Sequence, residues 1–269
     1  MKLVPLSTSP SSRSPAMQRF SSDGLTLAFL DEGPRDGEPI VLVHGFGSNV
    51  RVNWIGPGWV DALIRDGRRV IAIDNRGHGA SEGPHDPALY DPAEYMAEDV
   101  RRLMDHLHVE RADVMGYSMG AWITGHLATR HPDRLRSAIF GGLATAMIDG
   151  LGGQEAIARA LEADRDQDVV SPIGRTYRAF GKQTGSDLKA LAACMRGARR
   201  PVAREALAAL AMPVLCAVGT KDDVAGDLAA FVALIPGAEA LEIPERDHMQ
   251  AVGDRVHKQG VLAFLARRP

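Results

Sequence analysis

The chain has 269 residues, about twice the commonest domain size, so one large domain or two small ones can bury a substantial core. Apolar residues make up 45% and charged residues 24%, which excludes a disordered or fibrous protein. The 31 basic and 34 acidic residues leave a net charge of −3, with no broad positive surface for nucleic acid, and Cys194 and Cys216 are too few for a disulfide framework.

Residues 5–16 are rich in serine and proline with almost nothing to bury, so a flexible tail is expected over residues 1–19. Leu3, Val4 and Leu6, broken by Pro5, are too short for a secretory h-region. No apolar run approaches the roughly 18 to 20 residues that span a bilayer, and the cytosol is the expected compartment.

A strand is predicted over Leu25 to Leu30. Continuous apolar runs at Ile40 to Val43, Val70 to Ile73, Ala112 to Met115, Ala138 to Phe140 and Val214 to Val218 fit strands buried on both faces. Helical patterns lie between most of them: Trp59 to Ile64, Asp91 to Leu107, Ala121 to Thr129, Asp227 to Leu234 and Gly253 to Ala266. In the second of these Asp91 is the N-cap, Pro92 sits at N1 and Glu94 completes a capping box. Strand, helix, strand means a parallel sheet. Residues 148–211 contain no strand candidate, only alanine-rich helical pieces divided by glycine and proline, and read as a helical insertion between core segments 20–147 and 212–269. The insertion carries a net +2, which suits a face toward an anionic group and a solvated helical face alike.

Gly116-Tyr117-Ser118-Met119-Gly120 follows one strand and opens the helix at Ala121. A nucleophile at such a turn needs strained backbone angles and small neighbours two residues to either side, and the helix that follows aims free N–H groups at an anion forming near the Ser118 oxygen. A serine hydroxyl also needs a base, and the base an orienting carboxylate. His248 is the best-placed histidine, in a loop after the strand candidate Ala240 to Ile243. Asp222 and Asp223 both stand at the carboxyl end of the strand Val214 to Val218, where open parallel sheets meet their ligands.

With these residues in place the chain resembles the α/β-hydrolase fold family over roughly residues 20 to 269: a mostly parallel central sheet flanked by helices, with the order Ser118, acid, His248. His44-Gly45-Phe46-Gly47 is similar to the family's oxyanion loop, which implies that the Phe46 and Met119 N–H groups act on the oxyanion. Asp74-Asn75-Arg76-Gly77-His78-Gly79-Ala80-Ser81 is similar to a structural turn of the family, and the insertion matches its lid. The resemblance also selects Asp222 over Asp223, three residues after Gly219.

The resulting expectation is a serine hydrolase acting on a small ester or related acyl compound through an acyl-enzyme, without metal or organic cofactor. Alternatives on the same three residues are a carbon–carbon bond hydrolase, a cofactor-free perhydrolase or haloperoxidase, and a small-molecule receptor that kept the triad. Dehalogenase and epoxide hydrolase branches place aspartate where Ser118 stands. His44 reads as a fixer of the oxyanion loop, and His106 with His108 as a solvated helix end rather than a metal pair. Phe46 and Met249, beside catalytic positions, are the substrate-contact candidates. No phosphate-cradling or dinucleotide motif is present, and nothing in the pattern specifies an oligomer.

Overall fold

The computed structural model describes residues 16–198 and 200–268. Eight strands form one sheet in the order β1-β2-β4-β3-β5-β6-β7-β8. They are β1 (Gln18–Ser22), β2 (Leu25–Glu32), β3 (Pro39–Val43), β4 (Arg69–Ile73), β5 (Ala112–Tyr117), β6 (Leu135–Gly141), β7 (Val214–Gly219) and β8 (Glu239–Ile243). β1 and β2 pair antiparallel, β2 joins β4 antiparallel, and every later pair is parallel.

The apolar runs are continuous because both faces are covered. Val41 and Val43 of β3 pack on one side with Leu103, Met104 and Leu127, whereas Ile40 and Leu42 pack on the other with Trp54, Trp59 and Phe264. The helices supplying these layers are α1 (Trp59–Arg65), α2 (Ala97–His106), α3 (Met119–Arg130), α9 (Leu228–Leu234) and α11 (Arg255–Arg267). Between β6 and β7 run α4 (Ala146–Asp149), α5 (Gln154–Glu162), α6 (Pro172–Gln183), α7 (Leu188–Gly197) and α8 (Arg204–Ala208). Ile157, Ala158, Leu161, Leu191 and Ala192 of α5 and α7 form an apolar cluster of their own, against which Phe46 of the main body packs.

Three expectations are corrected. Of the residues expected as tail, 1–15 lie outside the described residues, while Gln18 and Arg19 already belong to β1. That strand turns only Phe20 and Ser22 inward, so it has no apolar run to betray it. Phe20 meets Phe29 edge-on at 5.7 Å. Asp91 does cap its helix, accepting from the N–H groups of Ala93 and Glu94, but the chain enters through a π-helical turn over Pro92–Met96. The Glu94 carboxylate, in place of closing a capping box, accepts from Arg200 at 3.1 Å. Finally, His248 opens a one-turn helix, α10 (His248–Ala251), rather than lying in a loop. Among the described residues no helix is long and apolar enough to cross a membrane.

Candidate active site

Ser118 stands between β5 and α3, as the N-cap of α3, at φ 55° and ψ −119°, a conformation rarely held by a residue with a Cβ. The flanking glycines let the chain bend this way: a Cβ on Gly116 would lie 2.0 Å from the Gly120 carbonyl oxygen, and one on Gly120 would lie 1.9 Å from that of Val43. The Ser118 N–H donates to Gly141 O at 2.8 Å, fastening the turn to β6.

Asp222 follows β7 and His248 follows β8, and both reach the same edge of the sheet as Ser118. His248 Nε2 lies 2.9 Å from Ser118 Oγ, and His248 Nδ1 lies 2.8 Å from Asp222 Oδ2. The Asp222 side chain is fully buried, and its other oxygen accepts from the N–H groups of Val224 and Ala225 at 2.9 and 3.1 Å. These bonds hold the carboxylate still. Asp223 is exposed and carries no bond to His248.

The segment carrying His248 is clamped at its carbonyls, which a one-turn helix cannot satisfy itself. Tyr117 Oη donates to His248 O at 2.5 Å, Trp59 Nε1 to Val252 O at 2.7 Å, and Lys258 Nζ to Gly253 O at 2.9 Å. His257 Nδ1 stands 3.1 Å from Ala251 O. Asp247 caps the turn by accepting from the N–H groups of Met249 and Gln250.

The loop after β3 passes directly against the nucleophile turn. His44 is fully buried: its Nδ1 faces Gly45 O at 2.8 Å, and its Nε2 accepts the Asn75 N–H at 3.0 Å. A ring nitrogen that accepts a backbone N–H has no room for a second proton, and burial brings the His44 pKa down to about 4. His78, beside it at 5.3 Å between ring centroids, is lowered to about 3 by burial and then by His44. Asp74 ties this loop to the 74–81 turn, accepting from the N–H groups of Val50 and Ala80. No acceptor pairs with the N–H of Phe46 or Met119 among the described residues.

Two cavities meet at Ser118. The larger, about 300 Å³, is bounded by Phe46, Asn53, Tyr177, Phe180, His248 and Met249. The smaller, about 60 Å³, lies toward Met119, Trp122, Leu143 and Cys194. Apart from His248, no ionisable cation or carboxylate among the described residues lines either one. Of the two substrate-contact candidates, Phe46 borders both cavities, whereas Met249 borders the larger one but is 61% exposed at its rim. Sequence reasoning missed Asn53 and Tyr177. Only Asn53 leaves a trace in the sequence, as a lone amide within the apolar stretch Val52-Asn53-Trp54-Ile55.

The sheet order and the placement of the site define the class: the chain has the α/β-hydrolase fold, and a family model described as alpha/beta hydrolase fold matches residues 38–156. The whole architecture is shared with a hydrolase from Pseudomonas aeruginosa, at a TM-score of 0.77 and 26% identity over 93% of this chain and 98% of that one. An enol-lactonase from Burkholderia xenovorans superposes with a TM-score of 0.72 at 25% identity, over 93% of this chain and all of that one. A 2-hydroxymuconate semialdehyde hydrolase from a Pseudomonas strain is 36% identical over 134 residues, half of this chain and 46% of that protein. The first three curated relatives are matched over between 41% and 70% of their length.

Proposed function

We propose that this protein is a serine hydrolase that cleaves a small, uncharged ester or related acyl compound. The observation that carries the reading is the unbroken row Ser118 Oγ, His248 Nε2, His248 Nδ1, Asp222 Oδ2, with both links under 3 Å. In the first half-reaction Ser118 Oγ attacks the acyl carbon and His248 Nε2 takes its proton. Asp222 holds the ring with Nδ1 protonated and stabilises the imidazolium. The Phe46 and Met119 N–H groups receive the oxyanion, each worth about 10² to 10³ in rate because it is fixed before charge develops. His248 then protonates the leaving oxygen, and a water, deprotonated by the same nitrogen, releases the acid and restores Ser118.

Cavities on both sides of Ser118 suit an acyl part and a leaving group, and helices α5 to α7, packed over Phe46, act as the lid that selects between substrates. The lack of a cationic side chain in the lining favours neutral esters and lactones over carbon–carbon cleavage of anionic ring-opened acids. Short p-nitrophenyl esters test the reading. Wild type should release p-nitrophenol, and His248→Ala should lower kcat by at least about 10³-fold while the protein stays folded. A variant that turns over as wild type does would refute it.

A further inference from the structure

Asn53 sits in a π-helical turn, Arg51–Ile55, beside the loop after β3, and only 6% of its surface is exposed. Its Oδ1 accepts the Gly45 N–H at 3.2 Å, which fixes which way the amide points. Its Nδ2 is buried with no partner among the described residues. Of the buried side-chain nitrogens unpaired among the described residues, this one alone belongs to a residue lining a cavity beside Ser118. A buried amide left unpaired is costly, and such groups in folded proteins call for an explanation. Asn53 also stands close to the nucleophile: a Cβ on Gly45 would meet Ser118 Cβ at 3.3 Å and Asn53 Oδ1 at 3.8 Å, so both side chains border one small space. Ser48, 5% exposed and lining the same cavity, places a hydroxyl nearby. The remaining wall is chiefly Phe46, Val52, Pro57, Tyr177, Phe180 and Val252.

We propose that Asn53 is a specificity-determining residue whose Nδ2 donates to a second oxygen of the substrate, close to the reacting carbonyl. The substrate class is then an uncharged ester or lactone bearing an ether, keto or hydroxyl oxygen within an otherwise apolar body. This rests on the hydrolase reading for the reaction and extends it to the substrate. A site built around a buried donor discriminates strongly against the isostere that lacks the acceptor, because the donor is then desolvated for nothing.

Two isosteric ester pairs test it: p-nitrophenyl methoxyacetate against p-nitrophenyl butyrate on the acyl side, and 2-methoxyethyl acetate against butyl acetate on the alcohol side. For each pair the kcat/KM ratio in wild type is divided by that in Asn53→Leu, so that intrinsic reactivity and any general loss of rate cancel. In one of the pairs this double ratio should be about tenfold in favour of the oxygenated member. Asn53→Asp keeps an acceptor for the Gly45 N–H but, ionised, lacks the donor, and should lose the same preference. Double ratios near one in both pairs would overturn the proposal and leave Asn53 as a support of the Gly45 loop only. Binding of the uncleaved ketones methoxyacetone and 2-pentanone, measured by ligand-observed NMR, gives an arm independent of turnover. Equal affinities in wild type would overturn the recognition, whereas silent esters with a retained ketone preference would count against the hydrolase reading alone.

Discussion

Replacing Ser118 by glycine and by alanine separates the cost of the nucleophile turn from the chemistry of its hydroxyl. Both variants delete Oγ and its contact with His248, so they differ by one methyl and by backbone freedom. The native angles, φ 55° and ψ −119°, cost a residue with a Cβ about 1–3 kcal/mol. Glycine escapes that strain but gives the unfolded chain more freedom, worth about 0.4–1 kcal/mol. Ser118→Gly should therefore be more stable than Ser118→Ala by about 0.5–2 kcal/mol, against the usual order of the two residues. In a chain of this length that raises Tm by roughly 1–4 °C, which calorimetry resolves. Ser118→Ala melting above Ser118→Gly would refute the claim that strain is stored at the nucleophile.

Asp222→Asn should lower kcat by about 10⁴-fold by leaving the wrong tautomer of His248 facing Ser118, while Asp223→Asn leaves the rate unchanged; steady-state kinetics on one ester decide between them. Arg76 is fully buried and grips Asp99 through Nε and Nη2 at 2.7 and 2.8 Å, so Arg76→Met, which leaves that buried carboxylate only Ser22 Oγ at 2.5 Å and Arg102 at 3.9 Å, should cost about 3 kcal/mol in urea unfolding. Burial lowers the pKa of His44 and His257 to about 4 and that of His78 to about 3, below the ordinary value near 6.5. Below the ordinary value the unfolded chain takes up protons that the folded one refuses, so stability is present at neutral pH and lost as pH falls. Each ring contributes up to about 1.4 kcal/mol per unit, or roughly 4 kcal/mol for three between about pH 7.5 and 5.5. Burial also lowers the His126 pKa, which acts in the same sense, and raises those of Asp74, Asp99 and Asp113, which act in the opposite one. Urea unfolding midpoints that stay flat over the same range would contradict the neutral, buried assignment.

The parts of the fold legible in the sequence are those whose burial is written as an uninterrupted run. Ile40 to Val43 and Val214 to Val218 are apolar throughout because both faces of the sheet are covered there, whereas β1 shows a single buried aromatic among polar residues. Ser118 was readable because the glycines two residues before and after it are demanded by contacts closer than any Cβ allows, and those contacts follow from the turn itself. His248 and Asp222 were readable from their place at strand ends. The cavity was not. Asn53, Tyr177 and Phe180 come from a π-helical turn and a helix of the segment between β6 and β7, and no local pattern specifies that these meet. The clamp on the His248 segment was equally hidden, since Trp59 and Tyr117 lie more than a hundred residues from the carbonyls they hold.

The most direct test of Ser118 as the nucleophile is the site of covalent labelling by a fluorophosphonate, read by intact mass and then by peptide mapping. One adduct per chain, on Ser118, formed rapidly in wild type and lost in Ser118→Ala, is the predicted result. An adduct on another residue that forms equally fast in Ser118→Ala would contradict the account.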